Sequence, residues 1–115
     1  MTPVEWSYHR NGCKTCGKAA AFLNEHGIAI KSQDDARKIP LVEADALKLV
    51  NQANDLYVTR GTKVIHIDLK SDRPDDDTLM GLLIGPSGKL RAPTIKVGKR
   101  LVVGFDRATY EQLFA

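Results

Sequence analysis

The chain has 115 residues, 43% of them hydrophobic and 27% charged, with a formal net charge of +3. That length suits one domain with its own core, residues 1–115, and the composition excludes a disordered or low-complexity chain. The 17 Lys and Arg are spread along the sequence, so charge permits nucleic-acid binding without arguing for it.

The N-terminal stretch MTPVEWSYHR has no apolar run long enough for a secretory leader. No run anywhere approaches the roughly 18 to 20 apolar residues of a membrane span, so a cytoplasmic protein is expected. The first predicted strand covers residues 4–8, where Trp6 and Tyr8 supply sheet-favouring side chains. The triplet RNG then breaks the pattern. Residues 13–26 are strong helix formers with Cys16, Ala20 and Leu23 at helical spacing and Ala19 and Phe22 widening the stripe. Gly27 is a standard stop, because glycine takes the left-handed C-cap conformation without strain. IAIKS, residues 28–32, reads as a second strand and completes a β-α-β unit.

QDDARKIPL reads as a polar connection, and VEADALKLVNQ as a second helix with Ala44, Leu47 and Val50 on one face. In DLYVTRGTKVIHIDLKSD, residues 55–72, Val64, Ile65, Ile67 and Leu69 read as a strand, while the surrounding Gly and polar residues read as loop. RPDDDTLMGLLIG predicts a third helix whose acidic start suits the positive end of the helix dipole, and GPSG closes it. APTIKV and RLVVG form a hairpin around the two-residue loop Gly98-Lys99. FDRATYEQLF predicts a closing helix with Asp106 as N-cap and Tyr110, Leu113 and Phe114 turned inward. The expected fold is α/β: β-α-β, then a helical segment, then β-β-α, with a mixed central sheet flanked by helices.

NGCKTCGKAA holds the only two cysteines of the chain. In a reducing compartment structural disulfides are rare, so a lone C-x-x-C reads as catalytic, redox-sensing or metal-binding. Two buried thiols that are merely neighbours is the bland alternative, since cysteine is among the most buried residue types. A zinc site needs four ligands, and the usual second C-x-x-C or H-x₃₋₅-H is absent, so no metal is expected. Redox chemistry fits better. Cys13 stands where the helix begins, one of the few places where backbone N–H groups and the dipole favour a thiolate. Cys16 is one turn later, close enough to attack an adduct on Cys13 or to form an intramolecular disulfide. His9, Arg10 and Lys14 surround the loop with positive or protonatable groups. Cys13 is therefore the expected nucleophile and Cys16 the resolving thiol.

Pro93 opens a strand otherwise fit for a sheet interior, where proline costs a ladder hydrogen bond. It is either a turn proline ending the GPSGKLR loop or the site of a cis Ala92–Pro93 bond.

Strand, C-x-x-C, helix and strand, followed by a Pro-Thr-led hairpin and a terminal helix, resemble the thioredoxin-like fold. YHRNGCKTCGKAAAFLNEHGI, TRGTK and DDDTLMGLLIG…LRAPTIKVGKRLVVGFDRATYEQLF resemble the arsenate reductase (ArsC) and Spx-like branch. More closely still, the pattern resembles a group of small ArsC family proteins that can carry selenocysteine in place of the first cysteine. The resemblance implies that Cys13 is the attacking cysteine and that His9 helps ionise it. It also implies that Arg60 and Arg91 hold an oxyanion, since guanidinium groups suit that geometry. Backbone before Pro93 would meet an extended substrate. Val102 and Val103 stand where the reductases carry a further arginine, and Arg91 is one residue further from the proline than in the family's Arg-Pro. Cys16 is not standard in the single-cysteine, glutaredoxin-linked reductases, whereas Spx-like proteins have C-x-x-C.

The expected function is thiol–disulfide oxidoreduction of arsenate-reductase-like type on a disulfide, peroxide or oxyanion, with catalytic Cys13, Cys16 and His9 and substrate-binding Arg60, Arg91 and Pro93. No resident cofactor is expected. Electrons would come from an external thiol such as glutathione, glutaredoxin or thioredoxin. The alternative is an Spx-like redox-sensing regulator that binds RNA polymerase without catalysis. Neither a membrane nor a nucleic-acid partner is expected.

Overall fold

A six-stranded mixed sheet organises the chain in the computed structural model, which describes residues 2–114. The elements in chain order are β1 (Trp6–His9), α1 (Lys14–Glu25), β2 (Gln33–Asp35), α2 (Glu43–Asn51), β3 (Asp55–Arg60), β4 (Lys63–Asp68), α3 (Asp76–Leu83), β5 (Thr94–Val97), β6 (Arg100–Val103) and α4 (Arg107–Leu113). The strands lie in the order β2-β1-β5-β6-β3-β4. β1 runs parallel to β2 and antiparallel to β5, while β6 runs antiparallel to β5 and parallel to β3. The C-terminal ends of β1, β6 and β3 therefore share one end of the sheet with the start of β5.

Alternation along the strands feeds two cores. Leu101 and Val103 of β6 join Leu56, Val58, Ala46, Val50, Leu79 and Leu83 on the face covered by α2 and α3. Val102 points the other way, with Ile95 and Val97, toward Phe22 and Leu23 of α1 and Tyr110 of α4. Period-two strands with both faces apolar mark a sheet covered on both sides.

The first helix, the β5–β6 hairpin and the closing helix form where the sequence predicts them. Asp106 Oδ2 accepts from the N–H of Thr109 at 2.9 Å and its Oγ1 at 2.7 Å, and Tyr110 and Phe114 are buried with Leu113 half-buried. Asp75 caps α3 in the same way, accepting from the Thr78 N–H at 2.8 Å. Ala20 stays exposed at the rim of a cavity rather than joining the buried stripe. In α2 the inward pair is Ala46 and Val50, one turn apart. Ala44 is exposed, because two residues at about 100° each put it on the opposite side from Ala46.

Three expectations about strands need correction. The first strand begins at Trp6, and Val4 pairs with Ile30 only in an isolated bridge. The regular β2 falls in QDD, inside the predicted polar connection, rather than in IAIKS. Its place at the edge of the sheet explains this: Gln33 is exposed and Asp34 and Asp35 half-buried, so the polar side chains keep water or find partners. Asp34 accepts from the Trp6 indole N–H at 2.8 Å. The stretch 55–72 holds two strands, not one. β3 and β4 pair from Asp55–Asp68 to Arg60–Lys63 around Gly61, whose φ of +61° suits glycine. The middle of the chain is thus α-β-β-α rather than a helical segment.

Candidate active site

Loop Asn11-Gly12 carries the chain from β1 into α1, with Gly12 at φ +82°. Cys13 follows as the N-cap of α1 in an extended conformation, φ −87° and ψ 117°. Its Sγ accepts the Cys16 backbone N–H at 3.3 Å, taking the role a Ser or Asp oxygen has at an ordinary helix start. The same sulfur lies 4.0 Å from the carbonyl oxygen of Ala92. The Ala92–Pro93 peptide bond is cis. Backbone immediately before Pro93 therefore borders the thiol, although 79 residues separate Cys13 from Ala92.

The two cysteines are both free and have different surroundings. Cys13 is half-buried at the surface, whereas Cys16 is buried in α1, 6% exposed. Burial pushes the Cys16 thiol up to about 12, and the hydrogen bond with the Cys13 side chain acts in the same direction.

Cys13 stands between two cavities. The smaller, about 240 Å³, also holds Cys16, His9 and Pro93 and is walled by Leu23 and Ile95. His9 ends β1, and its Nδ1 is buried with no hydrogen-bond partner among the described residues. The larger, about 560 Å³, is bordered by Cys13, Arg10, Arg37, Lys89 and Arg91 over a floor that includes Tyr8. Tyr8 is fixed there: its hydroxyl donates to the Ile39 carbonyl at 2.8 Å and accepts from the Leu41 N–H at 3.0 Å.

The structure thus places five of the six residues singled out from the sequence, Cys13, Cys16, His9, Arg91 and Pro93, along the two cavities that Cys13 borders. Arg60 is not among them. It is exposed at the end of β3, with β5 and β6 between that strand and β1, and it borders neither cavity. Nothing in the sequence reading points to Arg37 or Lys89. Both sit in loops, and the one available signal is that Lys89 and Arg91 alternate just before Pro93. Among the described residues no group of three or more His, Cys, Asp or Glu side chains is placed to share a metal ion. No helix among them is long and apolar enough to cross a membrane.

No protein-family model matches the chain. The YffB protein has the same fold, with a TM-score of 0.58 at 20% identity over 96% of this chain and 98% of its own. SACOL0876 from Staphylococcus aureus COL superposes with a TM-score of 0.57 at 23% identity, covering 97% of each chain. The global transcriptional regulator Spx of Streptococcus mutans serotype c is 29% identical over 98 residues, 82% of this chain and 71% of that protein. The chain is similar in sequence to Spx-type proteins and has a thioredoxin-like fold of the ArsC/Spx type. Another relative, the uncharacterized protein YusI of Bacillus subtilis strain 168, is 28% identical over 110 residues, 90% of this chain and 92% of its own.

Proposed function

We propose that this ArsC/Spx-like protein is a thiol–disulfide oxidoreductase in which Cys13 attacks and Cys16 resolves. The observation that carries the reading is the unequal pair: an accessible sulfur capping a helix, with a buried thiol one turn behind it. In the first step the Cys13 thiolate attacks one sulfur of a substrate disulfide. A Cys13–substrate disulfide forms, the substrate S–S bond breaks, and the released thiolate takes a proton. In the second step Cys16 gives its proton to water or the leaving thiolate and attacks the Cys13 sulfur. The second half leaves as a thiol, and the pair is now the oxidised disulfide. A dithiol or two monothiols, of the thioredoxin, glutaredoxin or glutathione kind, return two electrons and reset it.

His9 shares the small cavity with both thiols, where its ring can carry the proton that leaves Cys13. Arg91 offers positive charge on the other side of the sulfur. Backbone beside Pro93 supplies the ledge on which an extended substrate rests. Replacing Cys13 by Ser is expected to abolish disulfide exchange. Replacing Cys16 by Ser is expected to leave the attack intact and trap the mixed disulfide on Cys13, seen by mass spectrometry of the intact protein. Reaction of the Cys13→Ser protein at the wild-type rate would refute the assignment.

Curated relatives named as global transcriptional regulators favour a second reading, in which the same couple switches a non-catalytic regulator that binds RNA polymerase. Capture of polymerase that depends on the oxidation state of Cys13 and Cys16 would support it. Capture equal in both states, or none, would leave the oxidoreductase.

A further inference from the structure

We infer that β4 is a self-recognition edge, along which two copies of this chain pair antiparallel about a two-fold axis at His66. The inference is independent of the chemistry at Cys13. β4 ends the strand order, so one side of its backbone faces no other strand. The opposite edge, β2, is three residues long and carries Asp34 and Asp35, a short and charged form that discourages pairing. β4 has six residues, KVIHID, with fixed charge only at its two ends and no proline. Val64 is 40% exposed, and Ile65 and Ile67 are only half-buried. With Thr109 and Leu113 of α4, Val64 and His66 line a cavity of about 380 Å³, so α4 does not cover them.

Charge singles out a second copy as the occupant. Within the chain, β3 and β4 set like charges opposite each other at both ends of their ladder, Asp55 against Asp68 and Arg60 against Lys63. Such pairs are unfavourable. Asp55 has His66 at 3.0 Å, but neither Arg60 nor Lys63 is in a salt bridge among the described residues. The hairpin is thus basic at its turn and acidic at its base. An antiparallel copy lays the basic turn of each hairpin beside the acidic base of the other, whereas a parallel one would repeat the like-charge contacts.

Symmetry narrows the register. A two-fold axis normal to the sheet keeps each residue on the same face in both copies, so residues standing opposite differ by an even number. With the axis at His66, Ile65 meets Ile67 of the second copy and the reverse, and the half-buried isoleucines cover one another. Val64 then meets Asp68 of the second copy. An axis at Ile65 would set Lys63 against Ile67 instead. Cys13 stays free, because it follows β1, four strand positions from β4. A six-residue edge buries less than the roughly 1,600 Å² of a standard interface, so a weak dimer is expected, with a Kd of about 10–100 μM.

Sedimentation velocity of the reduced full chain at low salt, over a span that brackets that Kd, is expected to show mass rising to two chains and no further. A single chain at every concentration would overturn the inference, and so would growth beyond two. Val64→Asp places a carboxylate opposite Asp68 and should weaken association roughly tenfold or more, while Val64→Lys should strengthen it roughly two- to tenfold. Val42→Asp, at an exposed valine away from β4, should change nothing. Equal weakening by both Val64 variants, or by Val42→Asp, would contradict the pairing. In a Cys13→Ser, Cys16→Ser background, His66→Cys should cross-link on mild oxidation, since its Cβ lies about 5 Å from its counterpart. Lys63→Cys, about 20 Å from its own, should not. Cross-linking equal at the two positions would overturn the register and the inference with it.

Discussion

Burial keeps the Cys16 thiol protonated over the whole neutral range, since its pKa is pushed up to about 12. In an unfolded chain the same thiol titrates near about 8.5. Two outcomes follow at this scale. Iodoacetamide at pH 7 to 9 is expected to modify Cys13 alone in the native protein, with Cys16 reacting only on unfolding; peptide mapping would show it. The raised pKa also means that the folded state holds its proton longer than the unfolded state does. The stability from Cys16 is fully present below about pH 8.5 and is lost as pH rises toward about 12. Cys16→Ala should flatten that alkaline decline in Tm. Tyr110, raised in the same direction by burial, keeps part of it. An unchanged slope would contradict the burial of Cys16. The Tyr110 hydroxyl itself is buried with no partner among the described residues. Tyr110→Phe is therefore expected to be neutral or to stabilise by about 1 kcal/mol in thermal or urea unfolding. A loss of that size would contradict the orphaned hydroxyl.

Among the elements, α1 and the β5–β6 hairpin were legible because local chemistry decides them: Cys13 and Gly27 bracket one helix, and Gly98 turns one hairpin. β2 and β3 were not. The tripeptide QDD becomes a strand only because it lies at an edge beside β1, where Ser7 pairs with Gln33 and His9 with Asp35. For β3 the alternation of Leu56 and Val58 with Tyr57 and Thr59, followed by RGTK, was present in the sequence. The polar flanks outweighed it. Two substitutions test how the elements meet at the active edge. Gly104 has φ +85°, and a Cβ there would stand 3.1 Å from the Thr59 carbonyl oxygen and Cβ. Gly104→Ala should cost about 1–3 kcal/mol, by strain and by displacing the Gly104 N–H from the Pro93 carbonyl at 2.8 Å. Asp106→Ala removes both bonds to Thr109 and should cost about 1 kcal/mol. Denaturant melts would measure each, and a neutral result would contradict the contact concerned.

On the scale of the whole molecule, the strand order explains what a single sequence could not. The C-x-x-C loop, His9 and Pro93 were readable because each has a local signature. Which cations approach Cys13 depends on how loops from three parts of the chain fold over the end of β1. Arg37 and Lys89 arrive that way, and Arg60, three strand positions from β1, does not. Charge that looks scattered in sequence is gathered beside one sulfur in space. A redox titration of the wild-type protein against thiol–disulfide buffers, read by mass spectrometry, tests whether that sulfur and Cys16 form a working couple. One reversible two-electron transition is expected, giving a Cys13–Cys16 disulfide with a potential between about −270 and −120 mV, the span of thioredoxin-fold oxidoreductases. A potential below about −300 mV, as in structural bridges, or the absence of any intramolecular disulfide would contradict it.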